Sequence, residues 1–187
     1  MALPPRCLVD DLRAEEVLLP PEAQHHLARV LRLRSGDAIE LVDGRGGLAH
    51  ASLAASGAAR IVAREPTAAP DEPRVELAVA MPRLTRLEWL VEKACELGAA
   101  RLRLLYTRYG ERDVNPTRLF RLQRLADEAL AQCRRLHRME VVAAATLDSV
   151  LAAGAASQAE VWFAAPPGQS GASAPRAGAA RRAVLAL

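Results

Sequence analysis

Residues 75–106 read VELAVAMPRLTRLEWLVEKACELGAARLRLLY, and this stretch decides the fold class. It opens on an apolar run at 75–81 that is typical of a buried strand. Between residues 87 and 97 the apolar side chains return at helical spacing instead, and Gly98 supplies the stop expected after a helix. A second apolar run follows at 102–106. The stretch therefore predicts a strand, a helix and a strand in direct succession.

The same alternation continues along the rest of the chain. Asn115-Pro116 is typical of a helix start, and the pattern beyond it predicts a long helix through about residue 136. Its buried side would consist of Leu119, Leu122, Ala126, Ala129 and Cys133. Strands are predicted at 141–142, 161–164 and 183–187, with a short helix near 147–152. A regular alternation of strands and helices along the chain predicts a parallel α/β sheet.

A cluster of prolines separates this pattern from the chain before it. Pro66, Pro70 and Pro73 stand together with Asp71 and Glu72, a composition typical of a connecting segment. The cluster predicts two domains, at residues 1–70 and 74–187.

The first domain is predicted to be a small β-barrel-like module with one helix. Pro21-Glu22 is typical of a helix start, and this helix is expected to run to about residue 33. Its apolar side would consist of Leu27, Val30 and Leu31. Asp43-Gly44 indicates a hairpin between strands at 39–42 and 48–53, and a third strand at 59–64 can pair with them.

Composition excludes several classes of protein. The chain has 187 residues, of which 51% are hydrophobic and 25% charged, values typical of a globular protein. No apolar run approaches the length of a membrane span, and Pro4, Pro5 and Arg6 interrupt the start of the chain, so we expect a cytoplasmic protein with no membrane partner. Cys7, Cys95 and Cys133 form no C-x-x-C pair and are expected to be reduced. The spacing of the histidines and cysteines supports no metal site.

The basic residues are almost all arginines. Net charge is only +3, and Lys93 is the single lysine among 25 basic residues. Guanidinium groups suit bidentate recognition of phosphates and bases, whereas a GC-rich coding sequence would enrich arginine without any functional reason. Because basic residues are informative only when they cluster, composition alone favours the second explanation.

Two helical faces concentrate polar residues. On the first helix His25, Arg29 and Arg32 lie at positions i, i+4 and i+7, and Arg34 follows in the turn. This stripe either holds an RNA backbone or is an ordinary solvated face, and spacing does not choose between the two. On the long helix a second face carries Glu128, Gln132 and Arg135, with Arg121 and Arg124 in earlier turns. These residues either line a cleft or form a solvated surface with an Arg124–Glu128 pair, and spacing favours the surface.

Three motifs resemble one family. The stretch HHLARVLR at 25–32, followed by Gly36-Asp37 and Asp43-Gly44, resembles the opening of RsmE-type methyltransferases, which modify uridine at N3 in small-subunit ribosomal RNA. The stretch EKACELG at 92–98 resembles the family's "QKxxELG" helix, and Thr107-Arg108 its following arginine. The stretch EALAQCRR at 128–135 resembles its "EAxxQxxR" helix. The motifs occur in the family's order and cover nearly the whole chain.

The resemblance implies an α/β protein with a PUA-like RNA-binding barrel at 1–70 and a SPOUT methyltransferase domain with an α/β knot at 74–187. The family's methyl donor is S-adenosylmethionine, its partner is ribosomal RNA of the small subunit, and the complete enzyme is expected to be a homodimer. By the same resemblance His25, Arg29, Arg32 and Arg34 would contact RNA. Arg108, Glu128, Gln132 and Arg134 would flank the active site.

The chain departs from the family pattern after its last predicted strand. The family continues there into a "GPEGG" loop and later an "LGxRILRxETA" stretch, both of which help to hold the donor, and neither is found here. We therefore expect this polypeptide alone neither to bind S-adenosylmethionine nor to transfer methyl groups. A non-catalytic RNA-binding module is the alternative. The residues do not identify a general base.

Overall fold

The computed structural model describes residues 3–70, 74–107, 115–163 and 182–186. Their contacts divide the chain into two units, one formed by 1–70 with 130–138 and the other by 71–129 with 139–187. The chain therefore returns to the first unit for a short segment at 130–138. Nothing in the sequence pattern marked that return. No helix in the described ranges is long and apolar enough to cross a lipid bilayer.

The first unit is built on a five-stranded sheet. In chain order its strands are β1 (Arg6–Leu8), β2 (Glu16–Leu18), β3 (Ala38–Val42), β4 (Leu48–Leu53) and β5 (Ala58–Arg64). They lie in the order β1-β3-β4-β5-β2, with β1 parallel to β3 and the other neighbours antiparallel. The patterns predicted β3, β4 and β5. They missed β1 and β2, because three residues are too few to show an alternation.

The helix of this unit is shorter and less regular than predicted. Helix α1 (Pro21–His25) passes into a π-helical turn (His26–Val30), and the prediction of a continuous helix to about residue 33 is wrong. The Leu31 amide donates to the His26 carbonyl at 3.0 Å, the five-residue step of a π turn. A wider turn rotates the following side chains relative to α-helical spacing. Leu27 is consequently buried, whereas Val30 and Leu31 are exposed.

The predicted hairpin is present between β3 and β4. Val42 pairs with Leu48, and residues 43–47 form the connection. The Asp43 Oδ1 accepts hydrogen bonds from the backbone amides of Arg45 at 2.8 Å and Gly47 at 2.9 Å, which closes the loop on itself. A Cβ at position 46 would lie 2.3 Å from the Ala68 carbonyl oxygen, so only glycine fits there.

The second unit alternates strands and helices. In chain order its elements are β6 (Arg74–Ala80), α2 (Leu84–Glu96), β7 (Arg101–Leu105), α3 (Pro116–Gln132), β8 (Glu140–Ala145), α4 (Leu147–Ala156), β9 (Glu160–Phe163) and β10 (Arg182–Ala186). The strands form one sheet in the order β8-β7-β6-β10-β9, and every neighbouring pair is parallel. The prediction of a parallel α/β sheet is confirmed.

Two features hold the helices of this unit in place. Leu87 and Val91 of α2 and Leu122 and Ala126 of α3 are almost completely buried, as their helical spacing predicts. The Gln123 amide then ties α3 to the edge strand β8. Its Nε2 donates to the Met139 carbonyl at 3.0 Å, and its Oε1 accepts from the Val141 amide at 2.9 Å. One side chain therefore supplies hydrogen-bond partners for backbone groups that would otherwise be unpaired at the edge of the sheet.

Helices α2 and α3 end in the same way but with different residues. After α2 the Ala99 amide donates to the Ala94 carbonyl at 2.9 Å across Gly98, whose φ is 94°. After α3 the Arg135 amide donates to the Leu130 carbonyl at 3.2 Å across Arg134, whose φ is 61°. Glycine takes this left-handed conformation freely, whereas an arginine there costs about 1–2 kcal/mol. Helix α3 thus ends at Gln132, before the predicted residue 136.

The Arg134 conformation is compensated by a buried ion cluster. Glu40 is the only buried charged residue in the described parts of the chain. Its Oε2 lies 2.7 Å from Nη2 of Arg6 and 2.6 Å from Nη2 of Arg134. Arg134 also donates from Nη1 to the Pro4 carbonyl at 3.2 Å, and Arg6 donates to the carbonyl of Arg134. The cluster joins β1, β3 and the residues after α3 within the first unit.

Charge pairing determines the ionisation of Glu40. Burial by itself raises the pKa of a carboxyl group, but the adjacent guanidiniums of Arg6 and Arg134 outweigh that effect, and the pKa of Glu40 is lower than usual. The folded state therefore binds the proton more weakly than the unfolded chain, in which the pKa of a glutamate is about 4.3. The resulting stabilisation is complete above that pH and is lost as the pH falls through the folded-state value.

Replacing Glu40 by glutamine is expected to lower the free energy of unfolding at neutral pH by about 3 kcal/mol, because the buried guanidinium of Arg6 and the partly buried one of Arg134 lose their counter-charge. Glu65→Gln, which removes a half-exposed partner of His50, is the matched control and should cost less than about 1 kcal/mol. Denaturant unfolding measures both. The difference between Glu40→Gln and the parent should shrink as the pH is lowered below about 4, and a difference independent of pH would contradict this account.

Candidate functional site

The four residues of the predicted RNA-binding stripe all lie on the surface of the first unit. His25, Arg29, Arg32 and Arg34 are exposed. They do not form one helical stripe, however. Arg32 has a φ of 56° and lies beyond the end of the π turn, so the i, i+4, i+7 arrangement is wrong. Arg29 and Arg32 instead lie on an exposed turn of residues 28–32, called the projecting turn, with His25 before it and Arg34 after it.

The projecting turn is anchored in the core at both of its ends. Leu27 is 2% exposed, and Leu33 packs against the same apolar cluster. The Leu33 amide donates to the Leu27 carbonyl at 2.9 Å and closes the base of the turn. All five residues between these anchors are exposed. The core therefore fixes where the turn leaves the surface while its side chains face outward.

The described residues offer the arginines of this region no counter-charge. In the described ranges no side-chain hydrogen bond or ion pair involves Arg29, Arg32 or Arg34. Arg64 of the same unit is different, because its guanidinium donates to the carbonyls of residues 12, 13 and 14. A guanidinium without a partner is available to an external phosphate, with which it can form two parallel hydrogen bonds.

Backbone strain accompanies this exposure. Arg32 adopts the left-handed conformation at a cost of about 1–2 kcal/mol, as Arg134 does. Arg134 is held in that conformation by Glu40 and the Pro4 carbonyl, whereas the side chain of Arg32 is held by no described group. Strain that the fold maintains without an internal contact often occurs at binding sites.

The residues predicted to flank an active site have different environments. Glu128 is exposed and lies 3.6 Å from the Arg124 guanidinium, the helical pair that the solvated-surface interpretation expected. Gln132 is exposed one turn further along α3 and ends that helix. Arg134 belongs to the Glu40 cluster. Arg108 lies outside the described residues. The structure thus places Glu128 and Gln132 on one open helical face and gives Arg134 a partner of its own.

The sheet of the second unit indicates where a ligand would bind. Strands β7 and β8 lie on one side of β6, and β10 and β9 lie on the other, so the strand order reverses between β6 and β10. Open parallel sheets bind ligands beyond the carboxyl ends of their strands at such a reversal. The described side chains at this edge include buried Met81, exposed Tyr106 and Thr146, whose hydroxyl caps α4. They give a partly apolar edge, and the residues that follow β9 and β10 lie outside the described ranges.

Sequence reasoning missed the residues that organise the first unit. Glu40 occupies a strand among apolar residues, and its partners Arg6 and Arg134 are 34 and 94 residues away along the chain. No local sequence pattern predicts such a contact. A single glutamate inside the apolar run at 39–42 was nevertheless a usable signal, because a charge in a buried strand requires a partner.

Comparison with known proteins agrees with this arrangement. Residues 70–182 match the family model described as "RNA methyltransferase domain", and residues 19–65 match the one described as "RNA methyltransferase PUA domain". A curated relative, the ribosomal RNA small subunit methyltransferase E of Synechocystis, is 33% identical over 121 residues, which cover 64% of this chain and 40% of the relative. The aligned region thus spans less than half the length of that protein.

Two crystal structures share the fold. One is a ribosomal RNA small subunit methyltransferase E from Neisseria gonorrhoeae bound to S-adenosyl methionine, with 19% identity, a TM-score of 0.82, and coverage of 98% of this chain and 79% of that one. The other is a probable rRNA-methyltransferase from Porphyromonas gingivalis, with 22% identity, a TM-score of 0.78, and coverage of 97% and 79%. The predicted combination of a PUA-like domain with an α/β methyltransferase domain is confirmed. This chain belongs to the RsmE-type family of RNA methyltransferases.

Proposed function

We propose that the function of this protein lies in methylation of N3 of a uridine in small-subunit ribosomal RNA, with S-adenosylmethionine as the methyl donor, and that this polypeptide alone does not complete the methyl transfer. One combination of observations carries the proposal. Residues 70–182 match the RNA methyltransferase domain, and the PUA unit exposes three guanidiniums that have no partner among the described residues. Phosphates are the anionic groups that RNA presents most densely, and unpaired arginines recognise them directly.

The two units would divide the work. His25, Arg29, Arg32 and Arg34 would hold the RNA backbone, which supplies affinity and register with little dependence on base sequence. Arg108, Glu128, Gln132 and Arg134 would flank the active site, as the family resemblance implies. The rRNA substrate favours a cytoplasmic location. The homodimer stays a prediction.

Methyl transfer to uridine N3 needs little acid–base catalysis from the protein's own side chains. S-adenosylmethionine, when bound, supplies a methyl group activated by a sulfonium centre. The protein must hold the uridine so that N3 faces that methyl group and must exclude competing water. The described residues identify no group that removes the N3 proton, and we assign that role to none of them.

The variant Arg29→Glu/Arg32→Glu is expected to bind rRNA at least tenfold more weakly than the parent, because two phosphate contacts become repulsive. Its affinity should also depend less on salt, with a slope of log affinity against log salt smaller by about 1 to 2, since fewer counterions are released. The control Arg13→Glu/Arg60→Glu makes the same change of charge at two exposed arginines of the same unit. Fluorescence anisotropy over a salt series measures both, and equal losses in the two variants would remove the projecting turn from the interface.

Methyl transfer is tested by incubating the protein with small ribosomal subunits and S-adenosylmethionine carrying a labelled methyl group. On nucleoside analysis, this polypeptide alone is expected to leave the recovered rRNA unlabelled, whereas a full-length RsmE-type enzyme in the same assay is expected to give labelled 3-methyluridine. Label on another nucleoside would contradict the uridine N3 assignment. Labelled 3-methyluridine formed by this polypeptide alone would contradict its proposed inactivity, and absence of label even with the full-length enzyme would favour the non-catalytic RNA-binding module.

A further inference from the structure

The projecting turn presents an apolar pair between two cations. Val30 is 60% exposed and Leu31 is 42% exposed, with Arg29 before them and Arg32 after them. Phosphate binding does not explain this pair, because an aliphatic side chain gains nothing from a phosphate. Two adjacent exposed aliphatic side chains on a turn that the core fixes form a small apolar surface that a partner can cover.

We propose that Val30 and Leu31 pack against unstacked bases, so that the RNA bound by the projecting turn is an unpaired loop rather than a continuous duplex. The inference rests on the proposed RNA-binding function and extends it to the form of the RNA. The flanking guanidiniums of Arg29 and Arg32 hold the phosphates on either side of those bases.

The chemistry of RNA makes this distinction sharp. An A-form duplex keeps its bases stacked and presents phosphates and 2′-hydroxyls across a shallow minor groove, where an aliphatic pair finds no apolar surface. Unpaired loops expose the faces of their bases, and apolar side chains and guanidinium planes both pack on such faces. A site that alternates cation, apolar pair and cation therefore complements an unpaired strand better than a duplex.

The turn is preorganised for such a contact. The Leu31 amide is bonded to the His26 carbonyl, and the Leu33 amide to the Leu27 carbonyl, so the backbone on both sides of the pair is fixed before RNA arrives. Leu27 and Leu33 anchor the turn in the core. A contact surface that is already ordered loses little conformational entropy on binding, which favours affinity.

The test uses the full chain and two RNA probes with equal numbers of phosphates, one a hairpin with an unpaired loop and the other a blunt-ended duplex. Val30→Ser/Leu31→Ser is expected to bind the hairpin roughly tenfold more weakly, about 1.4 kcal/mol, and the duplex unchanged. Its salt dependence should equal that of the parent, because no charge is altered. Leu3→Ser/Leu18→Ser is the matched control, since both leucines are exposed in the same unit, and it should leave both affinities unchanged.

A second measurement needs no substitution in the protein. A hairpin whose loop nucleotides lack their bases keeps every phosphate, and the parent protein is expected to bind it about tenfold more weakly than the intact hairpin. Equal binding of intact and abasic loops, or equal losses on hairpin and duplex in Val30→Ser/Leu31→Ser, would overturn the inference and leave the proposed function standing. Failure of the parent to bind either probe would overturn both. A loss confined to the hairpin supports the inference.

Discussion

One buried carboxylate organises the first unit. Glu40 sits in a strand whose neighbouring side chains are apolar, and water is almost completely excluded from it. An unpaired charge in that position would cost several kcal/mol, so the fold must bring cations to it. Arg6 comes from the strand beside it and Arg134 from beyond the end of α3. The requirement of this one carboxylate helps to explain why residues 130–138 belong with the N-terminal unit.

Arginine serves two opposite purposes in this unit. Arg6 and Arg134 are drawn inward by Glu40 and by backbone carbonyls, and they contribute to stability. Arg29, Arg32 and Arg34 are exposed and have no counter-charge among the described residues, so they contribute nothing comparable. Both Arg32 and Arg134 adopt the left-handed conformation, and among the described residues Arg134 has internal contacts that offset the cost whereas Arg32 has none. The contrast separates an arginine that the fold needs from one that is available to a ligand, and the arginine-rich composition could not make that separation.

Local patterns predicted the architecture of the second unit well. Its strands bury apolar runs, its helices repeat apolar residues at helical spacing, and Gly98 ends α2 where a left-handed residue is needed. The patterns failed where a contact remote in sequence decides the outcome. Arg134 ends α3 at a position where glycine is usual, and its ion pair makes that possible. Gln123 ties α3 to an edge strand through backbone groups that carry no sequence signature.

The sequence by itself determined the parallel α/β sheet, the hairpin at Asp43-Gly44, the family resemblance and the identity of the basic residues near the first helix. These depend on short-range periodicity, turn chemistry and motif spacing, all of which are present in the linear chain. Only the tertiary structure decided that α1 gives way to a π turn, that Val30 and Leu31 face water, and that Arg134 pairs with Glu40. The physical reason is that burial and charge pairing depend on groups many residues apart, so no local segment contains the information that fixes them.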